Sequence, residues 1–99
     1  MTINKKQDGD NLTIALVGRL DTTTSPQLEN DLRGSLDGVK ELVFDLADLD
    51  YVSSAGLRVL LSAQKVMNKQ GSMVIRNVKP DIMEIFDVTG FVDILTIEE

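Results

Sequence analysis

The sequence predicts an α/β domain, with helices packed on a mixed β-sheet of four to five strands in the order β-β-α-β-α-β-α-β. Short apolar runs stand at Leu12-Thr13-Ile14-Ala15-Leu16-Val17, Leu42-Val43-Phe44-Asp45-Leu46 and Met73-Val74-Ile75. Between them leucines recur at helical spacing, as in Leu28 and Leu32. Glycine-bearing turn signals at Asp8-Gly9-Asp10, Gly71 and Thr89-Gly90 punctuate these stretches.

Residues 1–7 read as a weak strand whose Lys5 and Lys6 protect a sheet edge. The run 12–17 is apolar on both alternating faces, as expected for a strand covered on both sides. Gly18-Arg19-Leu20-Asp21 leaves that strand. Ser25 before Pro26 is a cap-then-first-turn pair, and Thr24 with Gln27 offers a capping box one residue earlier. The first helix then runs to about Gly34 or Leu36. The run 42–46 is the second buried strand, and residues 48–52 are the loop after it. Ser53-Ser54 starts the longest helix, which runs to about Gln70 and is stopped by Gly71. Its Leu57, Leu60, Leu61, Ala63, Val66 and Met67 are predicted core. Residues 73–75 form the third core strand, Pro80 opens a short helix carrying Ile82, Met83, Ile85 and Phe86, and residues 94–97 form a last strand.

The chain has 99 residues, enough for one domain, and 42% of them are hydrophobic. It has no cysteine, so the core holds the fold without disulfides or thiolate metal sites. No run approaches the roughly eighteen apolar residues of a membrane span, and no apolar segment follows the first lysines as a secretion signal would. The expectation is a cytoplasmic protein without membrane contact. It has no histidine, which removes the usual general base and the commonest transition-metal ligand. A formal charge of −6, one tyrosine and no tryptophan make a poor grip for nucleic acid. No enzyme activity, cofactor, metal or direct nucleic-acid contact is therefore expected.

One segment carries a more specific signal. In Asp48-Leu49-Asp50-Tyr51-Val52-Ser53-Ser54-Ala55-Gly56-Leu57-Arg58, two serines stand at a helix start. Free N–H groups and the helix dipole both favour a negative group there. Either serine is also an ordinary N-cap residue, and a cap hydroxyl remains open to phosphorylation. Asp21, Asp45, Asp48 and Asp50 with Lys79 suggest a weaker alternative, a magnesium or receiver-like pocket. Arg58, Ser62, Lys65 and Lys69 form a basic stripe at helical spacing, readable as a solvated face or a docking surface.

The run 42–46 followed by Tyr51-Val52-Ser53-Ser54-Ala55-Gly56-Leu57 resembles the signature of the STAS domain of bacterial anti-sigma factor antagonists. Gly18-Arg19-Leu20-Asp21 is similar to that family's Gly-x-Leu-Asp, Gly71 to its glycine before the fourth strand, and Pro80 with Thr89-Gly90-Phe91 to its third helix and closing turn. The resemblance implies one STAS domain over residues 1–99, without the C-terminal fourth helix of longer members. It implies that the unphosphorylated chain binds an anti-sigma factor that is also a serine kinase, freeing the sigma factor. Phosphorylation ends the complex, and a metal-dependent serine phosphatase restores it. The phosphoacceptor implied is Ser54; Ser53 is the alternative, because it places a second hydroxyl next door where the family often has Asp. The expected partner face comprises Asp21, Thr22, Ser53, Ser54, Gly56 and Arg58 on a chain that is monomeric when free. The competing reading is a constitutive STAS scaffold or transporter-associated subunit, not regulated by phosphorylation.

Overall fold

The computed structural model describes residues 1–98; Glu99, the last residue of the predicted domain, lies outside the described residues. The strands are β1 (Thr2–Asp8), β2 (Asn11–Leu20), β3 (Glu41–Val52) and β4 (Ser72–Arg76). The helices are α1 (Ser25–Leu32), α2 (Ser54–Gln70) and α3 (Pro80–Val88). The sheet order is β1-β2-β3-β4, with β1 antiparallel to β2 and the other neighbours parallel. A parallel pair cannot be closed by a tight turn, so α1 bridges β2 to β3 and α2 bridges β3 to β4.

The core lies on one face of this sheet. Leu12, Ile14 and Leu16 of β2 align with Leu42, Phe44 and Leu46 of β3 and with Met73 and Ile75 of β4, all buried. They form one cluster with Leu28 and Leu32 of α1, Leu57, Leu60 and Met67 of α2, and Ile82 and Phe86 of α3. Fully burying a side chain of this size contributes roughly 1.5–3 kcal/mol. The alternate positions Thr13, Ala15, Val43 and Val74 are only half-buried. β2 is therefore not covered on both sides as its composition predicted; small and β-branched residues suit a half-exposed pleat equally well.

Four further expectations are corrected. Residues 48–52 are not a loop: β3 continues to Val52 and pairs with β2 up to Leu20–Val52. Two register shifts place an extra β3 residue opposite β2 at each, and Asp45 Oδ1 steadies the first by accepting the Ala47 N–H at 3.0 Å. Residues 94–97 are not a strand. The chain coils through a 3-10 turn at Phe91–Asp93 and buries Leu95, then touches the β4 edge once, through Ile75 N–H to Thr96 O and Glu98 N–H to Ile75 O. α1 ends at Leu32, short of Gly34, and Val66 on α2 is 41% exposed rather than core. Gly71 ends α2 in extended backbone (φ 179°), and its lack of a side chain answers a close approach: a Cβ there would stand 1.9 Å from the Lys40 carbonyl oxygen.

Candidate phosphoacceptor site

The C-terminal ends of β2 and β3 lie side by side, and Ser53 N–H donates to Leu20 O at 2.9 Å. This bond holds the start of α2 against the end of β2. Ser53 is the N-cap, with extended backbone, and its Oγ accepts the Gly56 N–H at 3.3 Å while its carbonyl accepts the Leu57 N–H at 2.9 Å. Ser54 is the first helical residue. It is exposed, and its hydroxyl has no protein partner among the described residues. Gly56 is buried beneath the pair. A Cβ there would lie 2.7 Å from Leu20 Cγ and 2.9 Å from both Leu20 O and Val52 Cγ2, so glycine lets the first turn sit close on the sheet.

The loop from β2 to α1 is built around Asp21. Its Oδ1 accepts the Thr23 and Thr24 N–H groups, each at 3.0 Å, and stands 3.1 Å from Thr24 Oγ1. The Thr24 N–H bond above all, with Thr24 Oγ1, the Thr23 N–H and the charge of Arg19, holds the Asp21 carboxyl below its ordinary range. Thr24 is the N-cap of α1, but its hydroxyl does not cap the helix. It accepts the Asp21 N–H at 2.8 Å and donates to Arg19 O at 2.7 Å, closing the loop backwards. Ser25 Oγ donates to Asp21 O at 2.5 Å and is buried. The capping box predicted with Gln27 is thus not made.

A shallow cleft of about 320 Å³ between α1 and α2 brings Thr22 together with Ala55, Arg58 and Ser62. On the far side of the strand ends, the Arg19 guanidinium stacks on the Tyr51 ring 4.5 Å from its centroid. Lys79 Nζ donates to Asp50 Oδ1 at 2.8 Å; this bond and pair lower the Asp50 carboxyl and raise the Lys79 ammonium. The acidic residues do not converge. Asp45 binds Ala47 N–H and Asn77, Asp50 binds Lys79, and Asp21 serves its own loop. Among the described residues no group of three or more such side chains is placed to hold a metal ion.

A buried-strand signature leading into paired serines at a helix start is thus borne on a four-stranded mixed sheet, and the STAS domain profile matches residues 2–99. The chain belongs to the STAS domain family. This STAS domain is 41% identical over 91 residues to BtrV of Bordetella bronchiseptica, provisionally named an anti-sigma factor antagonist, covering 89% of this chain and 78% of that one. It is 29% identical over 98 residues to the anti-sigma-B factor antagonist of Bacillus subtilis, covering 98% and 90%. The fold is that of the Bacillus anti-sigma factor antagonist SpoIIAA. The unphosphorylated form gives a TM-score of 0.77 at 15% identity over 99% of this chain and 88% of that one. The phosphorylated form gives 0.76 at 16% identity over 99% and 92%.

In this STAS domain, the loop of Asp21 and Thr22 and the helix start of Ser53, Ser54, Gly56 and Arg58 lie at one end of the sheet. Arg58, Ser62, Lys65 and Lys69 are all exposed along α2. Among the described residues no helix is long and apolar enough to cross a membrane. Reading the sequence missed the Arg19–Tyr51 stack, because the register that pairs them depends on two extra residues in β3.

Proposed function

We propose that this chain is an anti-sigma factor antagonist that works as a phosphoswitch on Ser54. Unphosphorylated, it binds an anti-sigma factor that is a serine kinase, and so frees the sigma factor. The kinase transfers a phosphate to Ser54 and the complex dissociates; a metal-dependent serine phosphatase returns the chain to its binding form. The regulatory relatives carrying that name, at up to 41% identity, support this reading and a role other than catalysis.

The observation that carries the site is the contrast between the two serines. Ser53 Oγ is committed to the Gly56 N–H, whereas Ser54 Oγ is exposed and unengaged, open to a kinase active site. The Ser54 and Ala55 N–H groups have no acceptor among the described residues, so a phosphate formed there meets free donors and the positive end of the α2 dipole. Arg58, one turn on, adds a cation on the same side. The new charge of roughly −1.5 to −2 then repels or sterically excludes a partner that had closed on the bare hydroxyl.

The experiment is capture of partners from the native cell with Ser54→Ala. Purified partner and ATP are then added to the wild-type chain, with phosphopeptide mapping. The expected result is a retained ATP-dependent serine kinase and a single phosphate on Ser54. A phosphate on Ser53 or on residues 22–24 overturns the site. A partner bound equally by Ser54→Asp favours the constitutive scaffold.

A further inference from the structure

Arg19 and Tyr51 are each the last residue but one of their strands, and the parallel register sets them side by side. The following residues, Leu20 and Val52, are buried in the core, so the pair projects to the opposite side of the sheet. The Arg19 side chain is 60% exposed, and its Nε stands 3.7 Å from Asp21 Oδ2. Its guanidinium makes no hydrogen bond among the described residues, leaving a planar fork of donors matched to a carboxylate. The Tyr51 ring beneath holds the guanidinium in place, so less rotamer freedom is lost when an acceptor arrives. Tyr51 is the chain's one tyrosine, and it is 36% exposed. Arginine and tyrosine on an aromatic stack are the residue types that most often dominate binding energy. The pair lies two residues from Asp21 on one strand and two from Ser53 on the other.

We propose that the stacked Arg19–Tyr51 pair is a specificity-determining anchor of the partner interface, its guanidinium receiving an acidic side chain of the kinase and its ring receiving the aliphatic part of that side chain. This rests on the phosphoswitch reading and adds to it a reason for choosing one kinase over another. On a chain of net charge −6, an acid on the partner is repelled over most of the surface and accepted at this cation. A kinase without an acid at the matching position loses the anchor and meets Asp21 and Asp50 instead.

The test uses the purified kinase that phosphorylates the wild-type chain, with affinity measured for Arg19→Ala, Arg19→Glu, Tyr51→Phe and Tyr51→Ala, and a melting curve for each. Arg19→Ala is expected to weaken binding by about tenfold or more, and Arg19→Glu further. Tyr51→Phe, which keeps the stack, binds like wild type. Tyr51→Ala weakens binding, and combined with Arg19→Ala it loses less than the product of the two single effects. One acid-to-lysine change on the kinase restores Arg19→Glu, a rescue that a merely structural role does not produce. If the kinase binds the wild-type chain while Arg19→Ala stays within threefold of it, the anchor is overturned and the phosphoswitch stands. If no serine kinase binds or phosphorylates the wild-type chain, both fall.

Discussion

At the start of α2 the Ser53 hydroxyl accepts the Gly56 N–H while the Ser54 hydroxyl faces solvent, so the two serines should separate on substitution. Ser53→Ala loses a side-chain cap and is expected to cost about 1 kcal/mol, read as an earlier denaturant midpoint, while phosphate still arrives on Ser54. Ser54→Ala is expected to stay within about 0.5 kcal/mol of wild type and to take up no phosphate from the kinase, by mass spectrometry. Asp21 makes a pH prediction. Its carboxyl is lowered in the fold by the Thr24 and Thr23 donors, so its stabilising effect is fully present above the unfolded value near 3.8 and is lost as pH falls through the lower folded value. Subtracting the stability of Asp21→Asn from that of wild type across acid pH should give a difference that shrinks in this window. A difference that stays level there would show that the charge is not what the loop uses. The acidic residue was legible at residue scale from its place after a strand. The backward-closing Thr24 hydroxyl was not, because Thr24 and Gln27 also spell a capping box, and only the fold decides which partner the hydroxyl meets.

Elements were legible where their period was plain. The spacing of Leu28 and Leu32, or of Leu57, Leu60, Ala63 and Met67, marks helices because each repeats every three or four residues. The distal half of β3 escaped notice for a physical reason. From Leu46 to Val52 burial recurs at Leu46, Leu49 and Val52, every third residue, since two bulges rotate the strand. That spacing matches neither a strand's period nor a helix's, and Ala47, Asp48 and Asp50 resemble a loop more than a pleat. The last strand was over-read because the apolar residues near it serve a coil that contributes Leu95 to the core and a single pairing to the sheet. Gly56 in the first turn of α2 and Gly71 just past its end make the element-scale prediction. Gly71→Ala forces a Cβ onto the Lys40 carbonyl and is expected to cost at least about 2 kcal/mol. Gly56→Ala presses on a flexible leucine as well as its carbonyl, and should cost about 1–3 kcal/mol while lowering phosphorylation of Ser54 by lifting the first turn. Equilibrium unfolding and initial rates with the kinase check both. An unperturbed Gly71→Ala would mean that the β3–β4 connection tolerates displacement.

For the whole molecule, the order of elements as far as α3 followed from the chain, but the absence of a closing strand among the described residues and the one-sided coverage of the sheet did not. Thr13, Ala15, Val43 and Val74 carry enough apolar character to read as buried, and only the placement of the helices decides which face they cover. With the core on one face and Ser54 outside it, phosphorylation is expected to leave the backbone in place. The net charge moves from −6 to about −8, and amide shifts change mainly near residues 20–24 and 50–60. Shift changes spread along β1 and β4 would point instead to a global rearrangement.

The separation of the capping serine from the exposed one bears also on how long the protein lasts in the cell. Proteases act on opened chains, so a modification that leaves stability unaltered leaves degradation unaltered. Because the Ser54 hydroxyl supports nothing in the fold and a phosphate there meets free N–H donors and the α2 dipole, the phosphorylated form should open no more often and be cleared no faster than the bare one. Phosphorylation then does not drain the pool, and the output follows the share of the chain that carries the phosphate. In a pulse-chase of the wild-type chain, the half-life with the kinase present is expected to be no shorter than with it absent.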